Sequence, residues 1–270
     1  MPYLLEYMTA EDIDQVARIE RLCFSMPWPT SAYRRELKTP DTNRYVVAWW
    51  VSPALATRIG LREPSDATLT SLHHPELSAI THNGSGPAKN AGGLLSRLAS
   101  MLPWWSQPAP QPPPSNGVET DGLEDVELAR DGDFEMAGYA GLWLMVDEGH
   151  VTTIGVHPDH RGQGVGELLF LGLTDIAREM SAHRITLEVR VSNLSAQALY
   201  RKYGLEIAGV RRRYYSDNNE DAYIMWSEPV DSSQFNTRIT NLRKQLTHRF
   251  RAAFQSQPPP VHTSDRTRLQ

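Results

Sequence analysis

Val151-Thr152-Thr153-Ile154-Gly155-Val156, then His157-Pro158-Asp159-His160, then Arg161-Gly162-Gln163-Gly164-Val165-Gly166 is the stretch that decides the fold of this chain. The β-branched run ending at Val156 reads as a strand. Beyond the glycines, Val165, Leu168, Leu169, Leu173, Ile176, Ala177 and Met180 recur at helical spacing and mark one apolar helix face. A strand therefore runs through a glycine-rich turn into a helix. Glycines let backbone amides turn inward without Cβ clashes, and the helix N-terminus adds its dipole, so the junction suits a phosphate. No Gly-Lys-Ser/Thr follows, which excludes a P-loop, and the glycine spacing is not that of a dinucleotide fold. On spacing alone, a simple tight turn and an anion site both remain open.

Working outward, Ala137–Val146 reads as a strand joined to Val151–Val156 through a hairpin turn at Asp147-Glu148-Gly149. Arg184 to Val191 alternates strictly with period two. Asn193 caps a helix that runs to Tyr203, with Gly204 at its C′ position, and residues Leu205–Tyr214 and Asp221–Ser227 close the pattern as strands. Near the start, Pro2–Met8 reads as a strand, and Thr9, with Asp12 three residues on, caps a helix from Ala10 to Phe24. Met26-Pro27-Trp28-Pro29 stops that helix. A short helix over Ser31–Leu37 and a buried strand over Tyr45–Val51 follow. The interleaved order predicts an α/β (α+β) fold, with a mixed central sheet of about six to seven strands flanked by helices.

The 270 residues divide by composition. Residues 1–51 and 134–230 carry the periodic pattern of one domain. Residues 52–133 hold much of the chain's excess of proline and an acidic run from Glu119 to Glu135, and read as a largely disordered insertion. Within it, Leu94 to Trp105 could form a short amphipathic helix, either docked on the domain or meeting a membrane or partner. Residues 231–270 form a basic tail in which Ile239, Leu242, Leu246 and Phe250 mark an amphipathic helix, with disorder expected after Gln255. The net charge of −5 argues against a protein-wide attraction to nucleic acid. Cys23 is the single cysteine, which excludes an intramolecular disulfide, and it reads as a small buried hydrophobe. The start shows no secretory signal and the longest apolar run, Tyr45–Val51, is too short for a bilayer, so a cytoplasmic protein without membrane contact is expected. His73-His74 and His157/His160 lack companion carboxylates at metal-site spacing, so no metal is expected.

Arg161-x-x-Gly164-x-Gly166 resembles the acetyl-CoA signature of the GNAT superfamily of N-acetyltransferases. Its company is similar to the ribosomal-protein-alanine N-acetyltransferase group within it: Met26-Pro27-Trp28, Thr153 to Pro158, Leu187-Glu188-Val189-Arg190-Val191-Ser192-Asn193, Ala198-Leu199-Tyr200 and Arg211-Arg212-Arg213-Tyr214-Tyr215. The resemblance covers about Tyr3 to Val51 and Ala137 to Pro229 and leaves the insertion and tail unexplained.

The resemblance implies that acetyl-CoA is the donor and a protein N-terminus, that of a small-subunit ribosomal protein, the acceptor. Ile154, Gly155 and Val156 would pair with the pantetheine arm, and the loop Arg161, Gly162, Gln163, Gly164, Val165, Gly166 and Glu167 would hold the pyrophosphate. From its pattern Glu188 is a solvated sheet-face carboxylate; the resemblance makes it the general base. Tyr200 reads as core filling and, by resemblance, is the general acid for the departing thiolate. Asn193 reads as an N-cap that by resemblance also meets the pantetheine. Trp28, Arg211, Tyr214 and Tyr215 would wall the acceptor groove, or form a helix end and a surface hairpin. A lysine or small-molecule amine acceptor, and a non-catalytic acyl-CoA-binding scaffold, are the alternatives.

Overall fold

A computed structural model describes residues 3–52 and 134–255. The readings made for the rest of the insertion, including the Leu94–Trp105 helix and His73-His74, and for residues 256–270 lie outside the described residues. Seven strands form one sheet: β1 (Tyr3–Tyr7), β2 (Asn43–Val51), β3 (Phe134–Met145), β4 (Glu148–Val156), β5 (Arg184–Arg190), β6 (Leu205–Tyr215) and β7 (Glu220–Ser227). Among the described residues, five α-helices flank it: α1 (Ile13–Cys23), α2 (Thr30–Glu36), α3 (Val165–Glu179), α4 (Leu194–Lys202) and α5 (Ser233–Gln255). This is the mixed α/β sheet that the interleaved pattern predicts. Among the described residues, no helix is long and apolar enough to cross a membrane.

Strand periodicity sorts side chains between two cores. Along β2, Val46 and Ala48 enter a cluster with the α3 residues Leu168, Leu169, Leu173 and Ile176. The alternate residues Tyr45, Val47, Trp49 and Val51 face Ile13, Val16 and Ile19 of α1 and Tyr33 of α2. Thr9 caps the first turn, and the Asp12 carboxylate accepts the Thr9 amide at 2.7 Å, completing the capping box that the sequence predicts.

Two elements differ from the sequence reading. The β3–β4 hairpin turns at Val146-Asp147 rather than at Asp147-Glu148-Gly149, so Glu148 and Gly149 belong to β4. Val146 takes a φ of 58°, a left-handed geometry that a β-branched residue adopts only under strain, so its side chain gave no turn signal. The basic segment after Asp231 is not set apart as a tail up to Gln255. Phe235, Ile239, Leu242, Leu246 and Phe250 of α5 are buried in the same cluster as α3.

The strand order is β1-β2-β3-β4-β5-β7-β6, and every neighbouring pair is antiparallel except β4 with β5. That parallel pair meets at Glu148↔Arg184, Gly149↔Ile185 and His150↔Thr186 and goes no further. Beyond His150, β4 stays paired with β3, and β5 beyond Thr186 stays paired with β7. The two strands part toward their carboxyl ends, leaving a wedge with a free backbone edge on each side.

Candidate active site

Three groups of the sequence-chosen residues are positioned by the end of β4, by β5 and by β6. The first is the loop that follows β4. Gly162 and Gly164 take φ values of +73° and +92°, the left-handed region that glycine enters without a Cβ penalty. Gly164 is the N-cap of α3. The first-turn amides of a helix have no internal acceptors, so the start of α3 presents free donors together with its positive dipole end. A Cβ on Gly164 would lie 2.9 Å from Leu246 Cδ1 and 3.1 Å from Phe250 Cε1, so α5 backs the loop directly. The Arg161 guanidinium turns back to the strand, donating from Nε to the Val156 carbonyl at 3.2 Å. Burial pushes the Glu167 carboxyl up, but Lys202 and Arg249, both bonded to it, outweigh that and hold it below its ordinary value. Two cations thus stand at the flank of the loop.

The second group surrounds Glu188 on β5. Pattern alone made it a solvated carboxylate; instead its side chain is 3% exposed. His150 Nε2, from the last paired position of β4, lies 3.1 Å from one carboxylate oxygen, and Arg211 Nε lies 3.3 Å from the other. Burial raises the pKa of Glu188, but His150 and Arg211 more than compensate and the carboxyl is held below its usual range. It is therefore an anion throughout the neutral range. No spacing rule singled out His150, because its partner stands on another strand.

The third group is the strand β6 and the turn after it. The register of β6 against β7 shifts between Arg211 and Tyr215, and Arg213 within the bulge has a φ of 52°. Asp221 Oδ1 accepts the Arg213 amide at 2.8 Å and stabilises that backbone. The bulge redirects the two tyrosines that follow. Tyr214 lies beneath the Arg211 guanidinium at 5.4 Å, and Tyr215 stacks under Arg190 at 3.8 Å. Burial, and then the Glu188 charge, push the Tyr214 phenol well up. For Tyr215, burial is again the largest cause and the value rises to about 12.

Tyr200 of α4 is 8% exposed and packs against Phe170, as core filling would. Burial, followed by the charge of Tyr215, pushes its phenol up, so the proton stays on. The Glu188 charge in turn raises Tyr215. Asn193 caps α4, accepting the Ala196 amide at 3.1 Å, as its sequence position predicts. Ile154 and Val156 pack partly buried against the main core, and Gly155 is required because a Cβ there would meet the Tyr139 ring at 2.5 Å.

Trp28 lies in the segment after α1 and packs against the second core. Its amide donates to the buried Glu20 carboxylate at 3.1 Å and its ring lies 5.9 Å from that of Tyr33. Ser25 bonds Asp217, and Ser216 reaches Met26 Sδ at 3.5 Å, so this segment is tied to the β6–β7 turn. Cys23 is half-buried rather than buried, and not a plain hydrophobe: its thiol donates to the Val156 carbonyl at 3.3 Å, and burial pushes its pKa up.

The profile of the Acetyltransferase (GNAT) family matches residues 101–205. A [ribosomal protein bS18]-alanine N-acetyltransferase of Salmonella typhimurium is 36% identical over 106 residues, covering 38% of this chain and 72% of that protein. The chain belongs to the GNAT acetyltransferase family. A Bacillus subtilis (strain 168) protein, named as a candidate member of the same enzyme type, is 48% identical over 94 residues, 35% of this chain and 62% of that protein. This GNAT chain thus spans under two thirds of that relative's length. Among solved structures it is similar to the ribosomal-protein-S18-alanine N-acetyltransferase of Escherichia coli, at 19% identity and a TM-score of 0.49, covering 86% of this chain and 96% of that one.

Proposed function

We propose that this chain is an acetyl-CoA-dependent protein Nα-acetyltransferase acting on the N-terminal amine of a ribosomal protein. The observation that carries the reading is the parting of β4 from β5, with a glycine nest at the end of one strand and a buried carboxylate on the other. The edge of β4 at Ile154, Gly155 and Val156 would offer backbone groups to the two amide groups of a pantetheine arm, although the Val156 carbonyl already accepts from Arg161 and Cys23. The residues Arg161, Gly162, Gln163, Gly164, Val165, Gly166 and Glu167 fit a pyrophosphate through backbone donors, with Lys202 and Arg249 beside them. Acetyl-CoA supplies the thioester that the reaction consumes.

Acetyl transfer to an amine forms a C–N bond, breaks the C–S bond and moves two protons. Glu188, ionised and held by His150 and Arg211, takes the proton that the amine loses. Tyr200, whose burial keeps it protonated, gives its proton to the departing thiolate. An α-amine suits this base: its pKa of roughly 7.7–8, against roughly 10.4 for lysine, leaves a fair share neutral at physiological pH. Trp28, Arg211, Tyr214 and Tyr215 wall the acceptor side. The names of the relatives, bS18-alanine N-acetyltransferases, support a ribosomal acceptor.

The test is mass spectrometry of synthetic peptides incubated with the full chain and acetyl-CoA. One arm carries free N-terminal Ala or Ser, one a blocked N-terminus with an internal lysine, and one is a small diamine. Modification confined to the first arm is expected. Transfer to lysine or the diamine alone would move the acceptor class, and no transfer in any arm would favour a non-catalytic acyl-CoA binder.

A further inference from the structure

At the root of the glycine loop, two histidines and a carboxylate converge from separate elements. Glu135 lies near the start of β3, and His157 and His160 bracket the short turn between β4 and the loop. One candidate ligand atom from each lies within 4.8 Å of those of the other two. All three side chains are largely shielded, with exposures of 17%, 7% and 8%.

The hydrogen bonds around His160 fix which nitrogen faces the cluster. Gln163 Nε2 donates to the Asp159 carbonyl at 2.8 Å, which leaves Gln163 Oε1 to accept the Tyr3 hydroxyl at 2.8 Å. With its proton committed there, the Tyr3 oxygen accepts from His160 Nδ1–H at 3.0 Å. That leaves Nε2 as the ring nitrogen facing the cluster. Opposite it, at 3.7 Å, stands a carboxylate oxygen of Glu135, too far for a hydrogen bond. His160 Nε2 and Glu135 Oε1 are both buried without a hydrogen-bond partner among the described residues. Two buried polar atoms left without partners beside a second imidazole, in a shielded space, suit a shared cation.

We propose that Glu135, His157 and His160 bind a divalent d-block cation, zinc foremost. Two imidazoles and a carboxylate form one of the donor sets zinc uses with a fourth position left open. Zinc-bound donors at about 2.0–2.2 Å stand roughly 3.3 Å apart, so side-chain adjustments of about 1 Å close the set. The surroundings suit the task. A ligating histidine holds its orientation by donating the other ring N–H to a neighbour. His160 already does so toward Tyr3. When His157 binds through Nε2, its Nδ1 gains the proton, gives up the 3.3 Å contact from the Asp159 amide and turns to the Asp159 carboxylate 3.9 Å away. The ion would tie the start of β3 to the root of the loop, four residues before Gly164, and so brace the nest from behind. This site does not depend on the proposed acetyl transfer.

The full chain, freed of metal by chelation, should bind one equivalent of Zn2+ in calorimetric titration. Co2+ should give the visible absorption of a low-coordinate N/O site. His160→Gln and Glu135→Gln should each weaken binding at least tenfold, with Glu135→Gln keeping shape and therefore fold. Zn2+ should raise the melting temperature of the wild type and not of either variant. A wild type that takes up no Zn2+, or variants that bind it as tightly, would overturn the proposal.

Discussion

Glu20 should make this protein less stable as pH rises toward neutrality, and Glu20→Gln should remove that loss. The carboxylate sits in the second core beneath the segment that carries Trp28 and is 3% exposed. Burial pushes its pKa from 4.5 to about 7, and the opposing contacts from the Trp28 amide and the Tyr33 hydroxyl only partly offset it. A folded-state value above the unfolded one means that the stability contribution is full below pH 4.5 and is lost as pH rises toward 7. At about 1.4 kcal/mol per pKa unit, the gap corresponds to about 3 kcal/mol at pH 8. For a domain of this size that is a melting-temperature change of about 6–12 °C. Glutamine keeps an oxygen for the Trp28 amide and carries no charge. Melting curves followed by circular dichroism at pH 5 and pH 8 should show Glu20→Gln well above the wild type at pH 8, with the difference shrinking at pH 5. Equal pH dependence in the two proteins, or a variant less stable at pH 8, would refute the reasoning.

Glu188→Gln should lower kcat about 100-fold or more in the peptide assay while leaving acetyl-CoA affinity near the wild-type value, since it removes the base and no donor contact. His150→Gln removes a partner that favours the Glu188 anion, so the Glu188 carboxyl pKa followed by carbon-13 NMR should move upward; an unmoved pKa would show that Arg211 alone holds the carboxylate. Gly164→Ala forces a side chain into a left-handed position against Leu246 and Phe250, a cost of about 1–2 kcal/mol before the clash. It should raise the KM for acetyl-CoA several-fold and lower the melting temperature. Phe250→Ala should cost about 3–5 kcal/mol of stability, because its ring is buried against Tyr3 and the Gly164 turn; urea titration measures it.

What the sequence disclosed was what local chemistry encodes. The strand, glycine turn and helix from Val151 to Met180 and the Thr9 and Asn193 caps depend on neighbours within a few residues, and they lie where their periodicity and spacing put them. The apolar stripe of α5 was visible too, though not the surface that it covers. The environment of Glu188 was not visible. Its alternation marks a polar position, yet the groups that bury and ionise it, His150 and Arg211, arrive on other strands, one of them beside a bulge. Glu20 shows the same limit: its helix was readable, but the turn at Pro27 and Pro29 that folds over it decides its protonation. The Glu135, His157 and His160 cluster failed a spacing test because β3 and the loop after β4 become neighbours only through the hairpin.

The three register pairs between β4 and β5 have a further consequence for how the sheet opens. Backbone pairing divides it into a four-strand half and a three-strand half, with α3 packed beneath. Each half can fluctuate with its own frequency, and edge amides in the wedge should exchange with solvent faster than those in the antiparallel pairs. A molecule that hydrogen-bonds into the wedge and touches both arms makes the two opening reactions one. Hydrogen exchange across Val151–Val156 and Leu187–Arg190 would then slow in concert, and the seam that admits the ligand would be where its occupancy is recorded.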